Sequence, residues 1–194
     1  MNRKQIKLEA TEALKGNRLM FIVALIIVSA LTGTGIGSLI APILSAGIFL
    51  IGKVLLYEKK FDFELILEYF KDLNHAIKLF AVAFLYGIIV SVGLLLFIIP
   101  GVYFLLHYSQ VLYIMAEDKE IGIWDAFKQS GEMMNGYKWD LFVFYLSFIG
   151  HIILGIITFG IYLIYVLPYI ELSKINYYLH LKNKDVIVKE VASS

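Results

Sequence analysis

Three long stretches of the chain contain no Asp, Glu, Lys or Arg, and all formal charges lie outside them. The uncharged stretches are residues 19–52, 79–116 and 141–170. One membrane-spanning helix needs about 20 apolar residues, so each stretch is long enough for two helices joined by a turn. Turn-forming residues occur near the middle of each stretch, at 33–37, 100–101 and 158–160. The pattern therefore predicts an all-α polytopic membrane helix bundle with six transmembrane helices, arranged as three hairpins.

The positive charges predict how this bundle is threaded through the membrane. Lys and Arg occur at the N-terminus, in the two long loops and at the C-terminus, whereas the three predicted turns have none. Short loops rich in Lys and Arg stay on the cytoplasmic side of a membrane. Trp124 and Trp139 lie near the same predicted boundary, where interfacial aromatic residues are common. We therefore expect a multi-pass protein of the bacterial plasma membrane with both termini cytoplasmic.

Composition supports this class and excludes several others. About 60% of the 194 residues are hydrophobic and only 17% are charged, against roughly 45–50% and 25% in ordinary globular proteins. A soluble domain of this size exposes too much surface to hide so many apolar side chains. The net charge of +1 gives no general attraction for nucleic acid. The absence of Cys excludes disulfides, thiolate nucleophiles and Cys-based metal sites.

The charged segments between the hairpins also contain helical apolar stripes. Phe63, Ile66 and Phe70 fall on one helical face, and Trp124 and Phe127 begin a similar stripe in the next charged segment. Such faces predict cytoplasmic amphipathic helices that lie in the membrane interface. The alternative is that these helices are solvated and cover the inner end of the bundle.

The segments recur in a regular order, which predicts a threefold internal repeat within a single membrane domain, residues 1–194. Each unit has a surface helix, a span, a turn and a second span, with approximate limits 1–58, 59–117 and 118–194. Phe21, Phe80 and Phe142 mark comparable positions at the start of the first span of each unit. Because each unit has two spans, the copies share one orientation and form parallel repeats.

A series of short motifs in the second and third units resembles a known family. They are FIIPGV at 97–102, YSQ at 108–110, YIMAED at 113–118, MNGYKW at 134–139, LSFIG at 146–150 and TFGI at 158–161. Their order resembles bacterial integral membrane proteins grouped as domain of unknown function 975. The resemblance implies a bacterial plasma membrane protein and assigns no catalytic residue. His151 departs from the aromatic residue that the resemblance leads us to expect at this position.

Five polar residues inside the uncharged stretches or just beyond them form the candidate site. They are His107, Gln110, His151, Glu171 and Lys174. Polar groups inside a membrane are costly without a partner, so we expect these side chains to line a cavity between the second and third hairpins. Glu171 and Lys174 are three residues apart and can pair on one helix face. Their depth stays open, because Glu171 fits both the bilayer midplane and a position near the cytoplasmic interface.

No motif in the sequence predicts a cofactor, a metal site or a nucleophile with its acid–base partner. The first hypothesis is therefore a non-enzymatic binding or accessory module. Its partners would be the lipid bilayer and a lipid, a peptide or another membrane protein, and protection against membrane-active peptides is one such role. The alternative is a small transporter or channel that uses the five polar residues. An intramembrane lipid enzyme has the least support.

Overall fold

The computed structural model describes residues 1–33 and 37–193, with side chains described up to residue 185. Within those residues every regular element is helical. The elements are α1 (Arg3–Ala13), α2 (Arg18–Thr32), α3 (Gly37–Glu58), a 3-10 helix (Glu64–Lys71), α4 (Leu73–Leu96), α5 (Ile98–His107), α6 (Val111–Glu117), α7 (Ile123–Met133), α8 (Lys138–Leu146), α9 (Ile149–Ile157) and α10 (Ile161–Ser193).

Four helical segments in the described residues are long and apolar enough to cross a membrane. They are Gly37–Glu58, Leu73–Leu96, Ile98–Glu117 and Lys138–Ile157. Helices α1 and α2 form a bent pair, with an angle of 96° between them, that would be a fifth crossing if the pair counts as one span. The all-helical prediction is thus confirmed, and length and composition support four or five spans.

Two of the three predicted turns fall within the described residues. The third lies where expected, since Phe159 and Gly160 have φ angles of 49° and 87° and separate α9 from α10. The second predicted turn, expected at 100–101, lies three residues earlier, at Phe97, where the backbone is extended. Pro100 falls in the first turn of α5 instead, where its missing N–H costs no helical hydrogen bond. The first predicted turn falls largely on residues 34–36, which are outside the described residues.

The helices pack in a cyclic order. The 3-10 helix packs on α3, α7 packs on α6, and α1 packs on α10. Three further contacts follow the same order, because α4 also touches α3, α8 touches α5, and α2 touches α10. The 3-10 helix and α4 thus pack on α3, α7 and α8 pack on α6 and α5, and α1 and α2 pack on α10. The arrangement closes into a ring.

The surface helices of the first and third hairpins end in the same turn. Gly16 and Gly136 have φ angles of 83° and 79°, and the residues around them form matching backbone hydrogen bonds at an offset of 120 positions. One example is the bond from Phe21 N to Asn17 O, which corresponds to the bond from Leu141 N to Tyr137 O. The second hairpin lacks this turn, and Asp72 caps α4 directly after the 3-10 helix.

The predicted amphipathic faces divide between the bundle and the outside. Phe63, Phe70 and Trp124 are exposed, which agrees with an interfacial position. Ile66 and Phe127 are buried, and this part of the prediction is wrong. The reason is that a 3-10 helix turns more tightly than an α-helix and directs Ile66 onto α3, while the α7 face with Phe127 packs on α6.

A glycine in α3 makes the contact with the 3-10 helix possible. A Cβ atom on Gly47 would lie 2.5 Å from the Ile66 carbonyl oxygen and 2.7 Å from the Ile66 Cα. Backbone atoms cannot move aside as a flexible side chain can. We predict that Gly47→Ala forces the 3-10 helix away from α3 and lowers the free energy of unfolding by about 2 kcal/mol.

Gly87→Ala is the matched control, because a Cβ on Gly87 in α4 would have no neighbour within 4 Å. This change should leave stability unaltered or raise it slightly, since alanine favours helices. Thermal unfolding of both variants in one detergent measures the difference. Equal melting temperatures for the two variants would contradict the close approach of α3 and the 3-10 helix.

Candidate functional site

Three helical segments lie together at the centre of the bundle. They are α3, the α5–α6 pair and α10, which are called the inner helices below. Helix α3 contacts both α6 and α10. Side chains from all three inner helices meet at two levels, one aromatic and one ionic, that are four residues apart in each helix. Four residues are close to one helical turn, so these side chains lie on one face of each helix.

Three aromatic rings form one of these levels, called the aromatic layer: Phe49 of α3, Tyr113 of α6 and Tyr178 of α10. The ring centroids are 5.2 Å apart for Phe49 and Tyr113, and 5.6 Å apart for Phe49 and Tyr178. Tyr113 and Tyr178 are 5.4 Å apart. Each ring thus contacts the other two, at distances typical of favourable aromatic pairs. The layer closes the centre of the bundle at this level.

An ionic cluster lies four residues further along each inner helix. Glu117 of α6 pairs with Lys53 of α3 and, at 2.7 Å, with Lys182 of α10. The Tyr178 hydroxyl also donates a hydrogen bond of 2.8 Å to Glu117. The Glu117 side chain is only 14% exposed, and a carboxylate so placed requires partners. One carboxylate therefore holds all three inner helices together at their charged end.

A polar cavity of about 260 Å³ lies on the other side of the aromatic layer, and it is called the axial cavity. Glu171 and Lys174 of α10 line it and pair at 2.7 Å. Its other lining residues are Ser45, Ala46, Tyr86, Leu105, Ser109, Leu112, Tyr113 and Tyr145. Ser45 is exposed, so the cavity is open rather than sealed.

The four-residue spacing fixes the level of the predicted charged pair within the bundle. Lys174 precedes Tyr178 by four residues, as Ser45 precedes Phe49 and Ser109 precedes Tyr113. Ser45 and Ser109 both lie deep inside their uncharged stretches. Lys174 is eight residues from Lys182 of the ionic cluster, which is roughly 12 Å along a helix. Glu171 and Lys174 therefore lie at mid-bundle level, not at the charged end.

The axial cavity offers both signs of charge and several hydroxyl groups. Glu171 and Lys174 neutralise each other, so the cavity has no net charge. The Tyr86 hydroxyl donates to the Leu105 carbonyl oxygen at 3.0 Å, and the Ser109 hydroxyl donates to the Leu106 carbonyl oxygen at 2.8 Å. Both hydroxyl oxygens keep the ability to accept a hydrogen bond. The arrangement can bind a polar molecule through ionic and neutral contacts together.

The other residues of the predicted cluster lie elsewhere. His107 lines a separate cavity of about 440 Å³ together with residues of α7 and α8. A Cβ on Gly131 would lie 2.7 Å from the His107 ring, which shows how closely α7 approaches it. His151 pairs with the Tyr162 hydroxyl at 2.8 Å between α9 and α10. The prediction of one five-residue cluster is therefore wrong for both histidines, because α7 and Tyr162 occupy the space beside them.

Gln110 lies between the two cavities and is buried. Its side-chain amide donates to the Ser109 hydroxyl at 2.8 Å, and Ser109 lines the axial cavity. Its backbone N–H donates to the Ser130 hydroxyl of α7 at 3.3 Å. Gln110 thus connects the wall of the axial cavity to α7 without facing Glu171. Within the described residues, no group of three His, Asp or Glu side chains is placed to hold a metal ion.

A second polar group joins α1 to α10 beyond the axial cavity. Glu9 accepts hydrogen bonds from Asn176 at 2.8 Å and from His180 at 2.6 Å. Burial alone would raise the pKa of the Glu9 carboxyl, but hydrogen bonds from Asn176, His180 and Gln5 outweigh it and lower the pKa. The carboxylate is therefore stabilised in its charged form and fixes α1 against the last helix.

The ionic cluster was not predicted, although the sequence contains one signal for it. Lys53 and Glu117 are the first charged residues after the first and second uncharged stretches. If the third uncharged stretch ended just before its ionic-cluster residue, Lys182, as the other two do, it would extend to residue 181. Glu171 and Lys174 lie before that point. A comparison of where the three stretches end therefore identifies these two residues as extra charges inside the third stretch. The aromatic layer has no such signal, because aromatic residues are frequent throughout the chain.

Comparison with known proteins gives one match. The family model described as "Protein of unknown function (DUF975)" matches residues 64–185, which is more than half of the chain. The matched part includes the 3-10 helix, the second hairpin, and the third hairpin with Glu117, Glu171 and Lys174. No curated protein and no solved structure matches the chain.

The ionic cluster predicts a large effect for one conservative substitution. Glu117→Gln leaves Lys53 and Lys182 facing each other without a carboxylate between them. We expect it to lower the free energy of unfolding by about 2 kcal/mol, the size of a lost hydrogen bond to a charged group. Glu68→Gln is the control, because Glu68 pairs only with Lys71 on the surface and should change nothing measurable. Similar melting temperatures for both variants would show that Glu117 does not join the inner helices.

Proposed function

Since this chain belongs to the DUF975 family of proteins of unknown function, whose description assigns no activity, we propose its function from the geometry. The protein is a non-enzymatic integral membrane protein that binds a small polar solute in the axial cavity. The observation that carries the proposal is the Glu171–Lys174 pair, which lines a polar cavity of about 260 Å³ at mid-bundle level. Ionisable side chains inside a membrane bundle are energetically expensive, and a functional site is their default interpretation.

The proposal includes six membrane crossings in three hairpins with both termini cytoplasmic. Helices α2 and α10 add two crossings to the four long apolar segments. Helix α2 is 15 residues long, or roughly 22 Å, which is shorter than the ~30 Å hydrocarbon core. The crossing therefore also needs residues of the bent segment that precedes α2. The ionic cluster and the surface helices lie at the end with most Lys and Arg, which supports a cytoplasmic position for that end. The family resemblance of the sequence motifs implies a bacterial plasma membrane protein, which supports that membrane as the proposed location.

A threefold repeat of parallel units, with limits near 58 and 117, accounts for three observations together. These are the cyclic packing of the hairpins, the shared turn at Gly16 and Gly136, and the four-residue levels that match in all three inner helices. In this arrangement the axial cavity lies near a pseudo-threefold axis. Such repeats place the functional site at the interface between units.

Binding is favoured over catalysis because Glu171 and Lys174 satisfy each other. A general acid or base must exchange a proton with the reacting group of the substrate, whereas each of these two groups already contacts the other at 2.7 Å. The cavity is also below the roughly 300–1,000 Å³ of pockets for drug-sized ligands. It is too small for a peptide, so protection against membrane-active peptides would require an outer surface of the protein.

Transport of the bound solute is the second candidate, and the order of the levels favours it. The axial cavity, the aromatic layer and the ionic cluster follow one another along the inner helices. A solute in the cavity would reach the charged end if the rings of Phe49, Tyr113 and Tyr178 moved apart. Closed layers that open in turn are how transporters expose one site alternately to two sides.

Cysteine labelling in membrane vesicles tests the binding proposal, because the chain has no Cys of its own. Ser45→Cys at the axial cavity should react with a small charged methanethiosulfonate, since thiols react as thiolates in water. Phe84→Cys is the control, because Phe84 lies two residues from the cavity residue Tyr86 but is 60% exposed on the outer face. It should remain unmodified, as lipid surrounds it.

The same vesicles test the orientation. Glu120→Cys in the loop before α7 should react only from the cytoplasmic side. Reaction of Glu120→Cys from the outside would contradict the proposed threading. Failure of Ser45→Cys to react in vesicles of either orientation would contradict a solute site in the axial cavity.

A further inference from the structure

The chemistry of the axial cavity also indicates the class of its ligand, an inference that rests on the binding function above. We propose that the cavity selects a small zwitterion of amino-acid size. The ligand's ammonium group meets the Glu171 carboxylate and its carboxylate meets the Lys174 ammonium. Apart from this pair, the cavity wall presents hydroxyl groups and short apolar side chains.

The first argument is charge balance. Glu171 and Lys174 give the cavity equal positive and negative charge. A ligand with a net charge would leave one charge uncompensated inside the bundle, which is energetically costly. A zwitterion adds no net charge and offers a partner to each side chain. The cavity therefore favours zwitterions over simple anions and cations.

The second argument is the bonding capacity left over after the pair has formed. Lys174 Nζ donates to Glu171 Oε2 at 2.7 Å, and an ammonium has two further N–H groups. The second carboxylate oxygen of Glu171 is likewise able to accept a hydrogen bond. A zwitterion can therefore bind to both side chains without separating them. The four charges would then alternate in sign, which is the favourable order.

The third argument is size and shape. The volume of about 260 Å³ suits a molecule of a few heavy atoms with some water. Ala46, Leu105 and Leu112 supply an apolar part of the wall, and the aromatic layer closes one end. A short aliphatic side chain would fill that apolar part and gain from leaving water. Alanine is accordingly the probe with the simplest fit.

A series of three probes separates charge from shape. Alanine is a zwitterion, alanine methyl ester carries one positive charge, and N-acetylalanine carries one negative charge. Binding of each radiolabelled probe to the purified full-length protein in detergent is measured by equilibrium dialysis. We expect alanine to bind at least about tenfold more tightly than either charged derivative.

Two single variants should then change the preference in opposite directions. Glu171→Gln leaves Lys174 alone, so N-acetylalanine should become the preferred probe and alanine should weaken about tenfold or more. Lys174→Gln leaves Glu171 alone, so alanine methyl ester should become preferred. Glu68→Gln and Lys71→Gln are the matched controls, because Glu68 and Lys71 form the same i, i+3 pair at 2.8 Å on the surface. Neither control should alter the order of the probes.

Several results would overturn the proposal. Equal affinity for the three probes, or no binding of alanine, excludes a zwitterion site, and so does the same probe order in both single variants. Ser45→Cys labelling distinguishes failure of the zwitterion proposal from failure of the proposed solute site itself. If water-soluble reagent reaches Ser45→Cys while alanine does not bind, the cavity exists and its ligand class is different. The double variant Glu171→Gln with Lys174→Gln should retain the parent's elution volume in gel filtration, which separates loss of binding from loss of fold.

Discussion

The three inner helices are joined by one carboxylate in the ionic cluster. Glu117 of α6 receives Lys53 from α3, Lys182 from α10 and the Tyr178 hydroxyl. Apolar contacts alone give little direction to helix packing in a membrane, because lipid is as apolar as the side chains. A buried charge that must be paired fixes how each helix is positioned along its own axis. The aromatic layer and the axial cavity follow from this register, since they lie about one turn and about two turns from the cluster.

The same register explains how a second charged pair is accommodated at mid-bundle. Ser45 and Ser109 are the corresponding residues of the other two inner helices, and both are small. Their size leaves room for the Lys174 side chain and for the axial cavity around it. Helix α10 therefore differs from its two counterparts at this level, which contains the proposed site. Within the proposed repeat such a departure is expected at the proposed site, because functional sites are where local rules of packing are broken.

The all-helical fold, the break at Phe159 and Gly160, and the pairing of Glu171 with Lys174 could all be predicted from the sequence. Each depends on local properties, namely hydropathy, turn residues and an i, i+3 spacing. The inner position of α3, α6 and α10 could not be predicted, because a helix that is apolar on all sides gives no signal for the face that is buried. The separation of His107 and His151 from the charged pair depends on α7 and Tyr162, which are brought there only by tertiary packing.

The meeting of the inner helices at common levels is tested most directly by a short thiol cross-link across the aromatic layer, because two Cys replacing large rings in contact lie farther apart than a direct disulfide allows. Phe49→Cys and Tyr178→Cys replace two rings in contact, in a chain without other Cys. A protease site inserted after Lys60 cuts the chain between α3 and the 3-10 helix. We expect that protein treated with a short bifunctional methanethiosulfonate stays joined after cleavage and separates on reduction, while the pair Phe84→Cys and Tyr178→Cys never joins. Fragments that separate without reduction, or joining of both pairs alike, would contradict it.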